Sequence, residues 1–203
     1  MLDLETTTHI FNNLYSDING YTLSAQARNR VGYHDKAHTY GEVMPESFYK
    51  IIQRTEPREG EVFYDLGSGT GKAVILAALL FNFSECVGIE ILKELHETAE
   101  SILHRLHFEV EPHLHKKTLP KTVFKHKDFL RCDFSQADIV FIHATCFYEE
   151  LWEHLARKLE QLQSGSRVVT VTKMLHSPMF EHLRTDEHAM SWGKATIHFY
   201  KKI

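Results

Sequence analysis

Three glycines and the segments around them are the residues whose types and spacing point most directly to chemistry. Gly67, Gly69 and Gly71 follow the apolar run Val62–Leu66 and lead into the apolar segment Ala73–Phe83. This pattern predicts a buried strand, a sharp turn and a helix. Glycine suits such a turn because it adopts backbone angles that other residues avoid and lets a ligand approach the main chain.

A carboxylate further along the chain adds a second ligand-binding feature. The next predicted strand, Cys86–Ile91, carries Glu90 near its end. In nucleotide-binding α/β folds, a carboxylate at this place accepts hydrogen bonds from both hydroxyls of a ribose. The glycine turn and Glu90 therefore predict a site for an adenosine-like ligand. A glycine turn without a ligand is the alternative, and the order strand, turn, helix, strand, glutamate counts against it.

The spacing of the glycines narrows the choice of ligand. A dinucleotide fingerprint counted from Gly67 needs a third glycine where the chain has Lys72. A phosphate-binding P-loop needs glycine at the place of Leu66 and serine or threonine at the place of Ala73. Asp65, at the tip of the first strand, would hold a cationic amino group and repel a pyrophosphate. The motif therefore disfavours phosphate ligands.

The run Asp65-Leu-Gly-Ser-Gly-Thr-Gly71 resembles the first motif of class I S-adenosylmethionine-dependent methyltransferases. The resemblance implies S-adenosylmethionine as the cofactor. The residues that it implies for cofactor binding in this region are Asp65, Gly67, Ser68, Gly69, Thr70, Gly71 and Glu90. It also implies that Asp128 and Phe129, which follow the predicted strand Val123–Lys127, meet the adenine amino group and ring. The alternative for Asp128 is a cap on the short turn that follows.

Apolar periodicity predicts strands that alternate with helices over most of the chain. The predicted strands are Val62–Leu66, Cys86–Ile91, Val123–Lys127, Asp138–His143, Arg167–Thr172, His188–Trp192 and Thr196–Lys201. The predicted helices are Thr6–Leu14, Leu23–Arg30, one from Pro45 through Gln53, Lys72–Phe83, Lys93–His107 and Tyr148–Leu162. We expect a Rossmann-like α/β fold: a mostly parallel seven-stranded sheet, helices on both faces and a C-terminal antiparallel hairpin.

This topology divides the chain and gathers the candidate residues. We predict an N-terminal helical subregion at 1–43 and a cofactor-binding domain at 44–203. Ligands of such sheets lie beyond the carboxyl ends of the strands, where the strand order reverses. The glycine turn, Glu90, Asp128 and His143 should therefore meet at one crevice.

A narrower resemblance rests on elements outside the glycine motif. Tyr40-Gly-Glu42, a short helix and the glycine motif are together similar to the catalytic domain of the disruptor-of-telomeric-silencing family, the histone lysine methyltransferases without a SET domain. Ser191-Trp192 and the residues through Tyr200 resemble the last hairpin of that domain. The resemblance implies that Tyr40, Gly41 and Glu42 contact the methionine part of the cofactor. A helix-start carboxylate is the alternative for Glu42.

The chain departs from this family after the fourth predicted strand. The family shows Asn-Asn-Phe-Ala-Phe, where this chain has His143-Ala-Thr-Cys-Phe147. The first asparagine of the family contacts the cofactor and helps to form the substrate channel. His143 at that place could accept a proton from an amine, because a histidine has an ordinary pKa of about 6.5. A strand-end histidine bonded to the backbone is the alternative.

An aromatic wall would complete a channel for an alkylammonium group. Trp192, Phe147 and Tyr200 could supply it, because aromatic faces attract such cations. Core packing is the alternative for Tyr200. The predicted catalytic residues are therefore His143, Phe147 and Trp192.

Composition limits the classes of partner. The chain has 203 residues, a net charge of −4 and 43% apolar residues, which together predict a globular protein and argue against a nucleic-acid partner. No apolar run reaches the ~20 residues of a membrane span, and the N-terminus lacks the features of a signal peptide. Three dispersed cysteines and fifteen scattered histidines predict neither a disulfide framework nor a metal site. The expected location is cytoplasmic, or nuclear in a eukaryotic source.

The leading hypothesis is an S-adenosylmethionine-dependent methyltransferase whose substrate is a protein lysine side chain, with His143 or water removing the proton. Loss of the Asn-Asn pair motivates an alternative, a cofactor-binding scaffold without catalysis. A small-molecule or nucleic-acid methyltransferase is a third possibility, and the acidic balance of the chain counts against the nucleic-acid version.

Overall fold

The computed structural model describes residues 2–30, 41–114 and 118–203. The strands are β1 (Val62–Leu66), β2 (Glu85–Glu90), β3 (Lys121–His126), β4 (Ile139–Ile142), β5 (Arg167–Val171), β6 (Phe180–Met190) and β7 (Gly193–Lys202). The helices are α1 (Leu4–Leu14), α2 (Gly20–Arg30), α3 (Pro45–Gln53), α4 (Lys72–Leu80), α5 (Lys93–Arg105) and α6 (Glu149–Leu159).

The seven strands of the described residues form one sheet in the order β3-β2-β1-β4-β5-β7-β6. All pairs from β3 to β5 are parallel, and β7 pairs antiparallel with both β5 and β6. The predicted mostly parallel sheet with a C-terminal antiparallel hairpin is confirmed. The strand order reverses between β1 and β4, so the ligand crevice of this fold lies at their carboxyl ends.

Alternating residues of the central strands build two cores, one on each face of the sheet. Phe63 and Phe141 point into a core that they share with α1, α3, α4 and α5. Tyr64 and Val140, their chain neighbours, point into the core beneath α6. Helix α4 is apolar on every side and buried from Ala73 to Leu80, as expected of a helix enclosed within a core. The prediction of helices on both faces is confirmed.

The N-terminal helices pack on the sheet domain. Asp3 caps α1 by accepting a hydrogen bond from the Thr6 backbone N–H at 2.8 Å. Phe11 and Leu14 of α1 are buried in the same core as α3 and α4, and Arg105 of α5 donates a hydrogen bond to the Leu14 carbonyl at 2.8 Å. Ala27 of α2 packs with residues at the start of α5.

Several predicted boundaries are wrong, most of all at the sheet edge. Strand β6 begins at Phe180 rather than at His188, and Ser191 and Trp192 lie in the turn between β6 and β7 rather than in a strand. Most of β6 is exposed, so its sequence lacks the apolar alternation that marks a half-buried strand. Helix α4 ends at Leu80 rather than at Phe83, because the chain turns extended at Phe81.

Among the described residues, no helix is both long enough and apolar enough to cross a lipid bilayer.

Candidate active site

The parallel register of β1 and β4 brings the two halves of the site together. Leu66, the last residue of β1, is the register partner of Ile142, the last residue of β4. Each strand then continues into a candidate functional residue, Gly67 on one side and His143 on the other. The glycine turn and His143, which are far apart in sequence, thus line one cavity at the switch point, whereas Glu90 and Asp128, predicted for the same crevice, are not among its lining residues.

The glycine loop is a tight turn tied to β2. The backbone N–H groups of Gly67 and Ser68 both donate to the Ile89 carbonyl, at 2.8 and 3.0 Å. Gly71 has a φ of +84°, and a Cβ atom there would lie 2.5 Å from the Phe124 ring. Both facts require glycine, because the backbone conformation is left-handed and the space is filled.

A small cavity lies between this loop, the end of β4 and the segment before α3. Its lining residues are Gly41, Glu42, Val43, Asp65, Gly67, Ser68, Gly69, Lys72, Ala73, Phe141 and His143. Seven of the residues predicted for cofactor contact line it, namely Gly41, Glu42, Asp65, Gly67, Ser68, Gly69 and His143. Two of the lining residues carry a buried oxygen, Asp65 Oδ1 and Ser68 Oγ, that has no hydrogen-bond partner among the described residues, as is expected where a polar ligand completes a site.

Asp65 is a carboxyl group in an apolar setting. It is only 3% exposed, and burial, with a smaller effect from Glu90, raises its pKa to about 8. Burial disfavours the charged form, and a nearby carboxylate acts in the same direction. A cationic group placed beside Asp65 would favour the ionised form and reverse this shift.

Glu90 holds the glycine loop to β2. Its Oε2 accepts the Gly69 N–H and its Oε1 accepts the Leu92 N–H, each at 2.8 Å. Burial raises the pKa of Glu90, and these two hydrogen bonds oppose the rise. Each carboxylate oxygen retains a further lone pair, so the predicted hydrogen bonds to a ligand's hydroxyls remain compatible with this geometry.

Lys72, the first residue of α4, forms an ion pair that the sequence did not reveal. Its Nζ lies 2.7 Å from Glu42 Oε2, and both side chains are mostly buried. The aromatic rings of Tyr15 and Phe11 flank the Lys72 ammonium, with centroids 5.1 and 5.8 Å away. The Tyr15 hydroxyl donates to the Thr70 carbonyl at 3.0 Å, which fixes its ring against the glycine loop.

Gly41, His143 and Trp192 form a compact contact beside the cavity. The His143 and Trp192 rings meet edge to face, with centroids 4.7 Å apart. A Cβ on Gly41 would lie 2.7 Å from His143 Cε1 and 3.1 Å from Trp192 Cζ3. The loop that carries Gly41 can therefore approach the two rings only because it has no side chain there.

His143 is a neutral histidine in this setting. Burial lowers its pKa to about 4, although a hydrogen bond with its own backbone acts in the opposite direction. Its Nε2 is buried and has no partner in the structure. The imidazole therefore offers an unused polar atom but is a much weaker base than an ordinary histidine.

The turn between β6 and β7 is fastened to the loop before α3. Ser191 donates to the Glu42 carbonyl through its hydroxyl at 3.2 Å and through its backbone N–H at 3.3 Å. The Tyr21 and Ser191 hydroxyls are 2.6 Å apart, and Val43 forms a bridge with Met190. We call these contacts of residues 21, 42, 43, 190 and 191 the hairpin clasp. The clasp holds Trp192 next to Gly41.

The other predicted aromatic residues divide between a wall and the core. Phe147 stacks on Phe129 with ring centroids 5.7 Å apart and approaches Gly67. Tyr200 is 2% exposed and accepts a hydrogen bond from the Leu175 N–H. Tyr200 is therefore a core residue, as its alternative interpretation predicts, and not part of an aromatic wall that a substrate could reach.

Five of the described residues predicted for cofactor contact lie outside the cavity lining, namely Thr70, Gly71, Glu90, Asp128 and Phe129. Asp128 accepts the Leu130 N–H at 2.9 Å and caps the 3₁₀ turn Phe129–Arg131, as its alternative interpretation predicts. Thr70 and Gly71 complete the buried turn into α4. The predicted contact by Tyr40 lies outside the described residues.

Comparison with known proteins assigns the chain to a family. Residues 23–202 match the family model described as Histone methylation protein DOT1. The chain belongs to this family. One DOT1-type relative, the H3 lysine-79 specific histone-lysine N-methyltransferase of Caenorhabditis elegans, is 30% identical over 186 residues, which cover 81% of this chain and 19% of the relative. The enzyme of the same description from Yarrowia lipolytica is 28% identical, covering 66% of this chain and 28% of the relative.

Solved structures place the DOT1-family chain in a wider fold group. TrmN from Thermus thermophilus superposes with a TM-score of 0.63 at 16% identity, covering 83% of this chain and 52% of that one. The magnesium protoporphyrin IX methyltransferase from Synechocystis, solved with bound S-adenosylmethionine, gives 0.57 at 14% identity and covers 100% and 99% of the two chains. At these identities the likeness shows the Rossmann-like methyltransferase fold. The chain spans under a third of the length of the two curated DOT1 relatives described above.

Proposed function

We propose that this DOT1-family chain is an S-adenosylmethionine-dependent methyltransferase whose acceptor is a protein lysine side chain. The observation that carries the proposal is the cavity at the switch point. On one side it has Asp65 and the glycine loop, and on the other His143, which packs against Trp192. A cofactor there would have Asp65 beside its amino group. On its other side would lie the aromatic ring of Trp192, which can attract the alkylammonium of a lysine.

Each candidate residue then has a physical role towards the cofactor. Asp65 would ionise to hold the ammonium group, and Glu90 would accept from the ribose while it keeps the glycine loop in place. Phe129, stacked on Phe147, offers an apolar surface to the adenine ring, and Asp128 lies at the adjoining turn. The bound cofactor supplies a methyl group on a positively charged sulfur.

The protein's part in such a reaction is mainly alignment. A methyl transfer needs a neutral nucleophile in line with the sulfur, and proximity can contribute about 7–11 kcal/mol to lowering a barrier. Trp192 would attract the arriving alkylammonium. His143, with its pKa of about 4, is too weak a base to take the lysine proton efficiently, so we propose that the amine loses its proton to bulk solvent before it meets the sulfur, and we give His143 a hydrogen-bonding role.

A labelling experiment tests the proposal. The chain is incubated with methyl-labelled S-adenosylmethionine and either core histones, nucleosomes or a protein extract, and labelled bands are detected. We expect a labelled protein band that disappears in Asp65→Ala and remains in the exposed surface variant Asp17→Ala. Label found only in small molecules, or in nucleic acid, would overturn the assignment of a protein lysine as the acceptor. It would still support methyltransferase activity.

A second candidate function is a cofactor-binding scaffold without catalysis. The buried, weakly basic His143, at the place where the resembling family has asparagine, favours it. Calorimetry would then show S-adenosylmethionine binding without turnover on any substrate tested. Gain of activity in His143→Asn would support this candidate, whereas loss of activity from an active wild type would exclude it.

The relatives also bear on location and partners. They are described as histone H3 lysine-79 methyltransferases, and histones lie on chromosomal DNA. We therefore infer a protein partner and, in a eukaryotic source, a nuclear rather than cytoplasmic location. The net charge of −4 gives little attraction to DNA phosphates, so we expect free histones or another protein to be labelled more readily than nucleosomes.

A further inference from the structure

A second cavity lies between the C-terminal half of α3, the end of α4 and strand β6. Its volume is about 520 Å³, which is within the range of small-molecule sites. The residues that line it are Lys50, Gln53, Arg54, Pro57, Phe81 and His188. None of them lines the candidate active site, and the proposed function gives this second cavity no role.

Two cationic side chains of this cavity come from α3 and the residue that follows it. Lys50 and Arg54 are four positions apart, a spacing that places side chains next to each other on a helix. Lys50 pairs with Glu46 at 2.7 Å, and Arg54 lies 3.7 Å from Asp186. Both cationic side chains are more than half exposed, so they remain accessible to a ligand.

Strand β6 gives the region an excess of positive charge. Arg184, Asp186 and His188 alternate along the strand and therefore share one face. The Asp186 carboxylate lies 2.9 Å from Arg184 and 4.0 Å from His188, in addition to its contact with Arg54. One carboxylate thus faces three basic side chains and cannot neutralise them all.

His188 is less exposed than the other basic side chains. It is 12% exposed, and its buried Nε2 has no hydrogen-bond partner among the described residues. Burial lowers the pKa of His188, Asp186 raises it, and the positive charges of three basic residues lower it further. These residues are Arg54, Lys50 and Arg184. The cations are therefore close enough to repel a charged imidazole, and a bound anion would relieve that repulsion.

We propose that this second cavity binds an organic phosphate monoester. A phosphate group has oxygens in several directions, which suits basic groups that come from two elements, Lys50 and Arg54 on one side and His188 on the other. Pro57 and Phe81 would contact the apolar part of the ligand. The proposal does not depend on S-adenosylmethionine, because the two cavities share no lining residue.

Three small probes test the proposal on the full chain. Calorimetry measures the binding of phenyl phosphate, inorganic phosphate and benzoate. We expect phenyl phosphate to bind about threefold or more tightly than inorganic phosphate, because its ring buries apolar surface. It should also bind more tightly than benzoate, which has fewer oxygens and a lower charge. In a proton NMR titration with phenyl phosphate, the His188 ring resonance, assigned by its loss in His188→Gln, should shift.

Two lysines that differ in place provide a matched comparison. Lys50 and Lys93 are both exposed, and each pairs with a glutamate four positions away. We expect Lys50→Met and Arg54→Met each to weaken phenyl phosphate binding about 3- to 10-fold, the size of a lost hydrogen bond. Lys93→Met should leave it unchanged. S-adenosylmethionine binding should be the same in Lys50→Met and Arg54→Met as in the wild type.

Several results would overturn the proposal. An equal loss of affinity in Lys93→Met would trace the binding to the overall charge of the protein. Equal affinities for the three probes, or a His188 resonance that does not move, would exclude an organic phosphate at this cavity. A wild type that binds S-adenosylmethionine but not phenyl phosphate would remove this proposal and leave the proposed function. The reverse pattern would remove the proposed function and support the phosphate site.

Discussion

Asp65 links the ligand cavity to the pH dependence of folding. Its pKa of about 8 in the folded protein lies far above the ~3.9 of an unfolded chain, so between these values the folded state holds a proton that the unfolded state has lost. Stability must therefore fall as pH rises from about 4 to about 8. The residue proposed to hold the ligand's ammonium group therefore destabilises the folded protein at neutral pH.

Replacing Asp65 by asparagine should remove this penalty. We expect Asp65→Asn to raise the free energy of unfolding by about 1–3 kcal/mol at pH 7, with a gain that grows from pH 5 to pH 8. Denaturant unfolding at several pH values measures it. The control is Asp17→Asn. A hydrogen bond from Arg105 lowers the pKa of this exposed carboxyl, so removing the Asp17 charge should not raise the free energy of unfolding. A gain at Asp65 that does not vary with pH would contradict the buried-carboxyl explanation.

Gly41 is a residue whose missing side chain permits a contact. A Cβ there would overlap His143 and crowd Trp192, so Gly41→Ala should cost about 1–3 kcal/mol through overpacking. Thermal unfolding measures the cost, and cofactor binding should weaken as the loop moves away.

A double variant tests the origin of that cost. Shortening His143 to alanine removes the ring that the new methyl group meets, so the two changes should be coupled by about 0.5–3 kcal/mol. If the stability losses of Gly41→Ala and His143→Ala simply add, the methyl group introduced at position 41 does not meet the His143 ring, and the explanation by overpacking is wrong.

At the scale of elements, the hairpin clasp decides where Trp192 lies. Trp192 is 40% exposed, and the Ser191 hydroxyl bonds both Tyr21 and the Glu42 carbonyl. We expect Ser191→Ala to cost about 0.5–1.5 kcal/mol and to free the turn, so that acrylamide quenches Trp192 fluorescence more strongly. The measurement uses a Trp152→Phe background, because Trp152 is the second tryptophan.

Ser84→Ala serves as the matched control, since the Ser84 hydroxyl also donates to a backbone carbonyl, that of Glu61, in a different part of the fold. It should leave Trp192 quenching unchanged. Equal quenching in the Ser191 and Ser84 variants would mean that the clasp does not position the tryptophan.

The elements that sequence could predict are those with local signals. Strand β1, the glycine turn and α4 follow one another within a short segment, and their apolar residues and glycines mark them directly. Strand β6 could not be bounded, because an exposed edge strand has no buried face to impose a pattern. The order of predicted elements still sufficed to bring Gly67 and His143 together at one crevice.

The site's missing parts depend on contacts between distant segments. Lys72 and Glu42 are far apart in sequence, and their pairing follows from how the segment before α3 packs on α4. The weak basicity of His143 likewise comes from burial, which its neighbours in the sequence do not reveal. Sequence motifs identify the groups, and the packing sets their charge states.

At the scale of the whole molecule, α1 belongs to the main core. The predicted boundary between 1–43 and 44–203 stays a prediction, and the shared core of Leu14 with α3 and α4 predicts one cooperative unit. We expect Leu14→Ala to lower stability by about 2–5 kcal/mol while unfolding remains a single transition, coincident by near- and far-ultraviolet circular dichroism.

Leu162→Ala gives a matched comparison, because Leu162 is buried in the core on the opposite face. It should shift the same transition. An early, separate transition in Leu14→Ala alone would establish the N-terminal residues as an independently unfolding unit.

The sheet order has a consequence for synthesis on the ribosome. Strand β7 lies between β5 and β6, yet it is translated after both of them. Until residues 193–202 have emerged, β6 has no strand beside it and β5 has an open flank. At about 5–20 residues per second, that interval lasts on the order of one second. The numerous charged side chains of β6 protect this unpaired strand during the interval, because they discourage pairing with a neighbouring nascent chain.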